Sequence, residues 1–167
     1  MDLKKLTPGE MTIAISGVVL LIFSFFPWYK GPSVTLGNVT IGGASFSGWE
    51  KPNALLSIIA ILIGIVMAAH VIVNKLARVE MPERLGSLGW GVFYLAGGVI
   101  AFVFLLIKWL GNTDYTKFAL YISILASLGL AVGGFLTSKE RGDLAVFQKG
   151  GAGGTGGGTG GGTPPSA

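Results

Sequence analysis

His70 is the one histidine in the chain, and it lies inside a long apolar run as the side chain there whose charge can change near neutral pH. A proton relay or a ligand contact is the chemistry it would supply. It stands five residues before Lys75, about 7.5 Å along a helix, hence near the end of that run, where a hydrogen bond to water or a backbone carbonyl is the simpler expectation. Ser16, Ser87 and Ser138 are the polar residues expected toward the same end. Ser16, Ser24, Ser57, Ser123 and Ser127 occupy apolar runs without a companion base. A serine nucleophile needs one, so they read as hydrogen-bond donors between helices. The chain has no cysteine, which removes thiolate nucleophiles and thiolate metal sites. One histidine cannot assemble a metal centre without recruiting loop carboxylates, and no two carboxylates are spaced for acid/base work within a run. The expectation is therefore no catalytic residue, no cofactor and no metal, with His70 as the single polar candidate.

The runs that carry these residues are four blocks long enough to cross a bilayer. Of 167 residues 51% are hydrophobic and 12% charged, where a soluble domain carries roughly 25% charged residues. This argues against a soluble enzyme. The mean hydropathy is +0.69 although 28 glycines dilute it. The net charge of +4 is divided among several loops and is too small for a nucleic-acid partner. No block offers a charged face to water, as a soluble bundle would require.

The first span, 8–26, opens at Thr7-Pro8-Gly9-Glu10, a capping box with proline at the first helical position. It ends at Pro27-Trp28-Tyr29-Lys30, a helix breaker followed by interface-seeking aromatics. Lys4 and Lys5 before it resemble a secretory signal, but bulky residues stand where a cleavage site needs small ones, so the span is expected to stay uncleaved. The second span is 52–75. The third, 86–108, ends at Lys108-Trp109. The fourth, 115–136, follows Gly111-Asn112-Thr113-Asp114, where Gly stops one helix and Thr or Asp caps the next. Together these make a four-span transmembrane bundle, all-α, over residues 8–138. A short segment 1–7 precedes it, and a tail 139–167 follows, disordered from about residue 150 because it is almost entirely Gly and Thr. Eight cations (Lys4, Lys5, Lys75, Arg78, Arg84, Lys139, Arg141, Lys149) fall on one side and four (Lys30, Lys51, Lys108, Lys117) on the other. The positive-inside rule then places both termini in the cytoplasm of a cell membrane.

Between the first two spans, Val34-Thr35-Leu36 and Val39-Thr40-Ile41 flank Gly37-Asn38, the pattern of a two-residue hairpin. It is the only connection with strand character, and it is expected to lie on the membrane surface or on Phe46 and Trp49. Asn38-Val39-Thr40 also spells a glycosylation sequon, read here as a turn Asn beside a strand Thr. The connection around Pro82 is short, and its Arg78, Glu80, Glu83 and Arg84 read as a solvated charge run. Small residues recur every four positions at Ala60, Gly64 and Ala68, at Ala119, Ser123, Ser127 and Ala131, and at Gly129 and Gly133. They predict close helix packing, with Ile61 and Leu130 left toward lipid. Gly97-Gly98 and Gly133-Gly134 are the places where span backbone is free to loosen. A weak internal repeat relates Gly17–Trp28 to Gly98–Trp109, each with an interval of eleven.

Phe25-Phe26-Pro27-Trp28-Tyr29 at the end of the first span and Gly48-Trp49-Glu50 before the second resemble a broad group of uncharacterised actinobacterial four-helix integral membrane proteins. The resemblance covers about residues 8–138 and implies compact spans, a short outer loop and the role of an envelope or cell-division accessory. It carries no catalytic residues. The leading expectation is a non-enzymatic multi-pass membrane scaffold whose partners are the lipid bilayer and a second copy or other membrane proteins. The alternative is a small transporter or channel subunit for a neutral substrate, which polar side chains with broken backbone could serve.

Overall fold

A computed structural model describes residues 6–51, 53–76, 84–85 and 88–143. The chain is mostly helical: α1 (Pro8–Ser24), α2 (Ala54–Leu76), α3 (Trp90–Leu110) and α4 (Phe118–Glu140). Between α1 and α2 lie β1 (Pro27–Lys30), β2 (Ser33–Leu36), β3 (Val39–Gly42) and β4 (Ser45–Ser47), and before α3 lie β5 (Arg84–Leu85) and β6 (Leu88–Gly89). Three helices, α2 to α4, are long and apolar enough to cross a membrane, whereas α1 is apolar but only 17 residues long.

The capping box at α1 forms as the sequence predicts. Glu10 N–H donates to Thr7 Oγ1 at 3.3 Å, and Thr7 N–H donates to Glu10 Oε2 at 3.1 Å. The helix stops at Ser24 rather than near Phe26, because Pro27 disfavours the helical conformation in the residue before it. The third helix begins at Trp90, later than residue 86, because Leu88–Gly89 pairs antiparallel with Arg84–Leu85. The first loop is thus not alone in forming strands. At α4 the expected Thr or Asp cap is not made. Residues 115–117 are instead drawn onto β1. Lys30 N–H donates to Tyr115 O at 2.9 Å and Lys117 N–H to Trp28 O at 2.7 Å, so the helix starts only at Phe118. It continues beyond residue 136 to Glu140 because Thr137 and Ser138 are buried. Thr137 faces Gly9 of α1, and Ser138 faces Gly91 of α3.

Around the bundle, α1 packs on α2 and α4, and α3 packs on the same two, with α2 and α4 on the diagonal. Of the four helices, α4 is the most closely embraced. Glycines make the approach possible. A Cβ on Gly17 would lie 2.8 Å from Gly64 O, one on Gly98 2.5 Å from Ala131 N, and one on Gly134 2.5 Å from Leu95 N. Gly9 and Gly133 oppose each other across α1 and α4 in the same way. Each repeat glycine, Gly17 and Gly98, therefore sits against the helix that follows its own. Of the small-residue rows, Gly64 and Ala68 meet α1, and Gly129 abuts the Ser16 side chain. Ala60, Ser123 and Ser127 are wholly buried.

Two expectations about side chains are overturned. Ile61 and Leu130 do not face outward: both are fully buried. A Cβ on Gly64 would stand 3.2 Å from Leu130 Cδ1, so the leucine fills the space that the glycine leaves. The buried hydroxyls of Ser123 and Ser127 do not bridge helices. They donate within their own helix, to Ala119 O at 2.8 Å and Ile124 O at 2.7 Å, because the carbonyl one turn back is the nearest acceptor in an apolar bundle.

The hairpin forms in the register that its sequence dictates, with Leu36 opposite Val39 around Gly37-Asn38 and Val34 opposite Ile41. Gly37 takes φ 63°, which glycine adopts without cost. Strand alternation puts Val34, Leu36, Val39 and Ile41 on one face and Thr35 and Thr40 on the other, where their hydroxyls lie 3.2 Å apart. The aliphatic face does not rest on Phe46 or Trp49. Its four side chains are 60–67% exposed, because Phe46 is held opposite Tyr29 in the separate β1–β4 pair and Trp49 packs on Phe25. The tail from residue 144, with its expected disorder, and the charge run at 77–83 lie outside the described residues.

Candidate functional site: polar clusters at the two bundle ends

At the end that carries β1–β4, the sequence reading counts Lys108, at the end of the third span, among the loop cations. The structure buries it completely, inside α3. Its Nζ donates to Ser57 Oγ of α2 at 2.6 Å and to Glu50 O at 3.5 Å. The ammonium lies 5.2 Å from the Trp28 ring centroid and 5.7 Å from that of Tyr29, within the range of cation–π attraction. Both rings come from β1, where successive side chains should point to opposite faces. The β1–β4 register slips between Pro27 and Tyr29, and both Trp28 and Tyr29 turn inward, as a bulge allows. Gly48 makes room, since a Cβ there would meet Trp28 Cζ2 at 2.8 Å. Trp28 Nε1 donates to Phe23 O at 2.7 Å, Tyr29 Oη to Lys108 O at 3.1 Å, and Trp49 Nε1 to Ser24 Oγ at 3.0 Å. The Pro-Trp-Tyr segment, read from sequence as an interface anchor, is thus also the wall of a cation site. A serine three residues into α2 was the further signal for it.

Burial, with Tyr121 nearby, pushes the Tyr29 phenol up to about 12 from 10.0. The native state holds that proton more tightly than the unfolded chain. Its contribution is complete below pH 10 and is lost as pH rises through about 12, amounting to at most roughly 3 kcal/mol. Thermal midpoints followed across that window should fall less steeply for Tyr29→Phe than for the parent. Parallel curves would show that Tyr29 does not govern the alkaline limb.

At the opposite end, Glu10 is almost wholly buried, and its Oε1 accepts from Arg141 Nη2 at 2.7 Å, tying the start of α1 to the end of α4. Asp143 performs a cap that sequence reasoning missed. The N-cap of α3 is Gly89, which has no side chain to offer, and Gly91 N–H donates to Asp143 Oδ2 at 3.0 Å. The carboxylate at this helix start is supplied from 52 residues away, a partnership that local spacing does not reveal.

His70 lies toward this end, but its partner is neither a backbone carbonyl nor one of the serines first considered. Its Nδ1 is 2.6 Å from the Tyr94 hydroxyl of α3, and its ring centroid is 3.9 Å from that of Trp90. Nε2 is buried without a hydrogen-bond partner. Ser16 lies instead at Gly129 and Ser138 at Gly91, while Ser87 is outside the described residues. Among the described residues, no group of three or more His, Cys, Asp or Glu is placed to hold a metal ion.

Compared with protein-family models, curated proteins and solved structures, the chain finds no match. Its own geometry must carry any functional reading. Chemically, the two end clusters act as clamps: an ammonium between aromatic faces ties α3 to α2 and β1, and a buried carboxylate–guanidinium pair ties α1 to α4.

Proposed function

We propose that the chain is a non-enzymatic, four-span protein of the cell membrane that organises partners at the envelope, with both termini cytoplasmic and the β1–β4 loop outside. The observation that carries this reading is the β2–β3 hairpin. From Gly31 to Gly48 the loop has no charged residue, and the hairpin holds four aliphatic side chains clear of the bundle. An uncharged strand edge with an apolar face is a template for association. The bundle interior supports a structural rather than a transporting role, since its buried hydroxyls at Ser123, Ser127 and Thr137 are spent on carbonyls of their own helix. As a span, α1 reaches only about 25 Å at 1.5 Å per residue, against a hydrocarbon core of about 30 Å. The exposed Phe25 and Phe26 that follow it extend its apolar length.

The test is co-purification from native membranes. A partner retained by the parent and by Thr35→Ala should be lost with Leu36→Ser plus Ile41→Ser, because only the double variant strips aliphatic side chains from the apolar face. Equal recovery from all of these would remove the hairpin from the interface, and specific solute flux in proteoliposomes would replace the scaffold with a transporter. Reporter fusions after Asn38 and Thr113 should score external and those after Arg141 internal; a reversal would overturn the orientation.

A further inference from the structure

A groove of about 560 Å³ runs between α2 and α3 from Ile59 to His70. That volume is typical of small-molecule sites. It exists because α2 is less tightly held than α4 and because Gly97 contributes no side chain to its wall. Along most of its length the lining is aliphatic or Phe93, with Val66 65% exposed at the rim. Side chains with polar atoms, His70, Trp90 and Tyr94, meet at one end only, and what they present to the groove is almost entirely ring carbon. The eleven helical steps from Ile59 to His70 give a shaft of about 16 Å.

We propose that this groove binds an uncharged, single-tailed amphiphile with a flat hydrogen-bonding head, the chemistry of a prenyl quinone, its tail along Ile59–Val66 and its ring at His70 and Trp90. Three observations select this occupant over an ordinary phospholipid. Among the described residues the lining carries no Asp, Glu, Lys or Arg, and Arg141, whose charge reaches His70, is held in its ion pair with Glu10, so a charged headgroup gains no dedicated counter-charge. The polar end is built of aromatic rings, which suit a planar head. The imidazole is fixed on one side by Tyr94, while Nε2 has no partner, and a buried unsatisfied nitrogen in a native structure calls for an explanation. Both tautomers of that imidazole are complementary to the ligand. With Nδ1 accepting from Tyr94, Nε2–H donates to a quinone carbonyl; with Nδ1–H donating, Nε2 accepts from a quinol hydroxyl. Nε2 has no exposed surface, so the head reaches it by displacing a neighbouring ring, and Trp90 is the nearest. The inference takes α2 and α3 as membrane spans but does not depend on the hairpin.

The experiment uses the full chain in phosphatidylcholine nanodiscs, labelled by a photoreactive decylbenzoquinone, with adducts mapped by peptide mass spectrometry. Labelling should saturate, concentrate near His70 and Trp90, and be displaced by unlabelled decylbenzoquinone but not by phosphatidylglycerol. His70→Phe keeps a ring and loses the hydrogen bond, so affinity should fall up to about tenfold. Val66→Phe fills the groove from its exposed rim without disturbing the bundle and should abolish saturable labelling. Leu125→Phe, on the exposed face of α4, should change nothing, and neither should Leu36→Ser in the hairpin, so this site and the scaffold reading can fail separately. Labelling unaffected by both His70→Phe and Val66→Phe, or displaced equally by phosphatidylglycerol, would overturn the proposal.

Discussion

Gly98→Ala and Gly134→Ala are expected to lower the detergent-state thermal midpoint by about 6–12 °C each, taking roughly 3 kcal/mol for the clash and 2–4 °C per kcal/mol for a chain of this size. The added methyl on Gly98 would meet Ala131 N at 2.5 Å, and that on Gly134 would meet Leu95 N at 2.5 Å. In both cases the obstacle is backbone of the facing helix, which cannot turn aside as a side chain can, so α3 and α4 must separate along their length. In lipid, separated helices gain nothing from hydrophobicity to draw them back. The adjacent Gly97→Ala is the internal control. Its Cβ would meet Met67 Sδ at 3.1 Å and Ile63 Cγ2 at 3.2 Å, ends of side chains that can shift. The gain in helix propensity, up to about 1 kcal/mol, should keep that variant within a few degrees of the parent. Circular-dichroism melts of the three variants decide the matter. A Gly98→Ala midpoint equal to that of Gly97→Ala would mean that the α3–α4 seam can open without loss.

What the sequence made legible was whatever depends on neighbours along the chain. The capping box at Thr7 and Glu10 is written within four residues, and the hairpin register follows from two β-branched triplets around Gly37-Asn38. The four apolar blocks appear as four helices, with ends misjudged where a distant segment intervenes. Nothing local reveals that β1 recruits residues 115–117, so the sequence pattern starts the fourth helix there. The small-residue spacing marked α2 and α4 as sources of close contact, but a fourfold row says which residues are small and not which face is inward. Ile61 and Leu130 were misplaced for that reason. The polar sites were the least legible. His70 was singled out by rarity, while its partners Tyr94 and Trp90 belong to the next helix and look like ordinary aromatic residues of an apolar span. Asp143 caps a helix 52 residues earlier in the chain. Lys108 was counted among loop cations because lysines at span ends usually reach for water. With Lys108 buried, Lys30, Lys51 and Lys117 are the exposed cations on the hairpin side among the described residues.

Lys108 also supplies the sharpest separation of stability from specificity. Lys108→Ala should cost about 2–4 kcal/mol, since it leaves a void between Trp28, Tyr29 and Ser57 where a long side chain stood and removes a cation from two aromatic faces. No new charge is stranded, and Ser57 Oγ keeps its own bond to Ala54 O at 3.0 Å, so the loss is one of packing and attraction. Lys108→Met retains most of the volume and removes the cost of keeping an ammonium out of water. A buried charge is often replaced by an apolar residue of similar size without penalty, or with a gain. The methionine variant should therefore melt within about 3 °C of the parent, given a change below roughly 1 kcal/mol. If stability is all that Lys108 provides, methionine will also leave the β1–β4 loop as well protected in amide exchange as before. The bonds from Nζ to Ser57 and to Glu50 O, however, fix the loop against α2 in one register, which a thioether cannot do. Exchange at Trp49 and Glu50 is accordingly expected to quicken in Lys108→Met while the midpoint holds. A methionine variant that melts as early as the alanine one would show that the ammonium itself, and not the space it fills, holds this end of the bundle together.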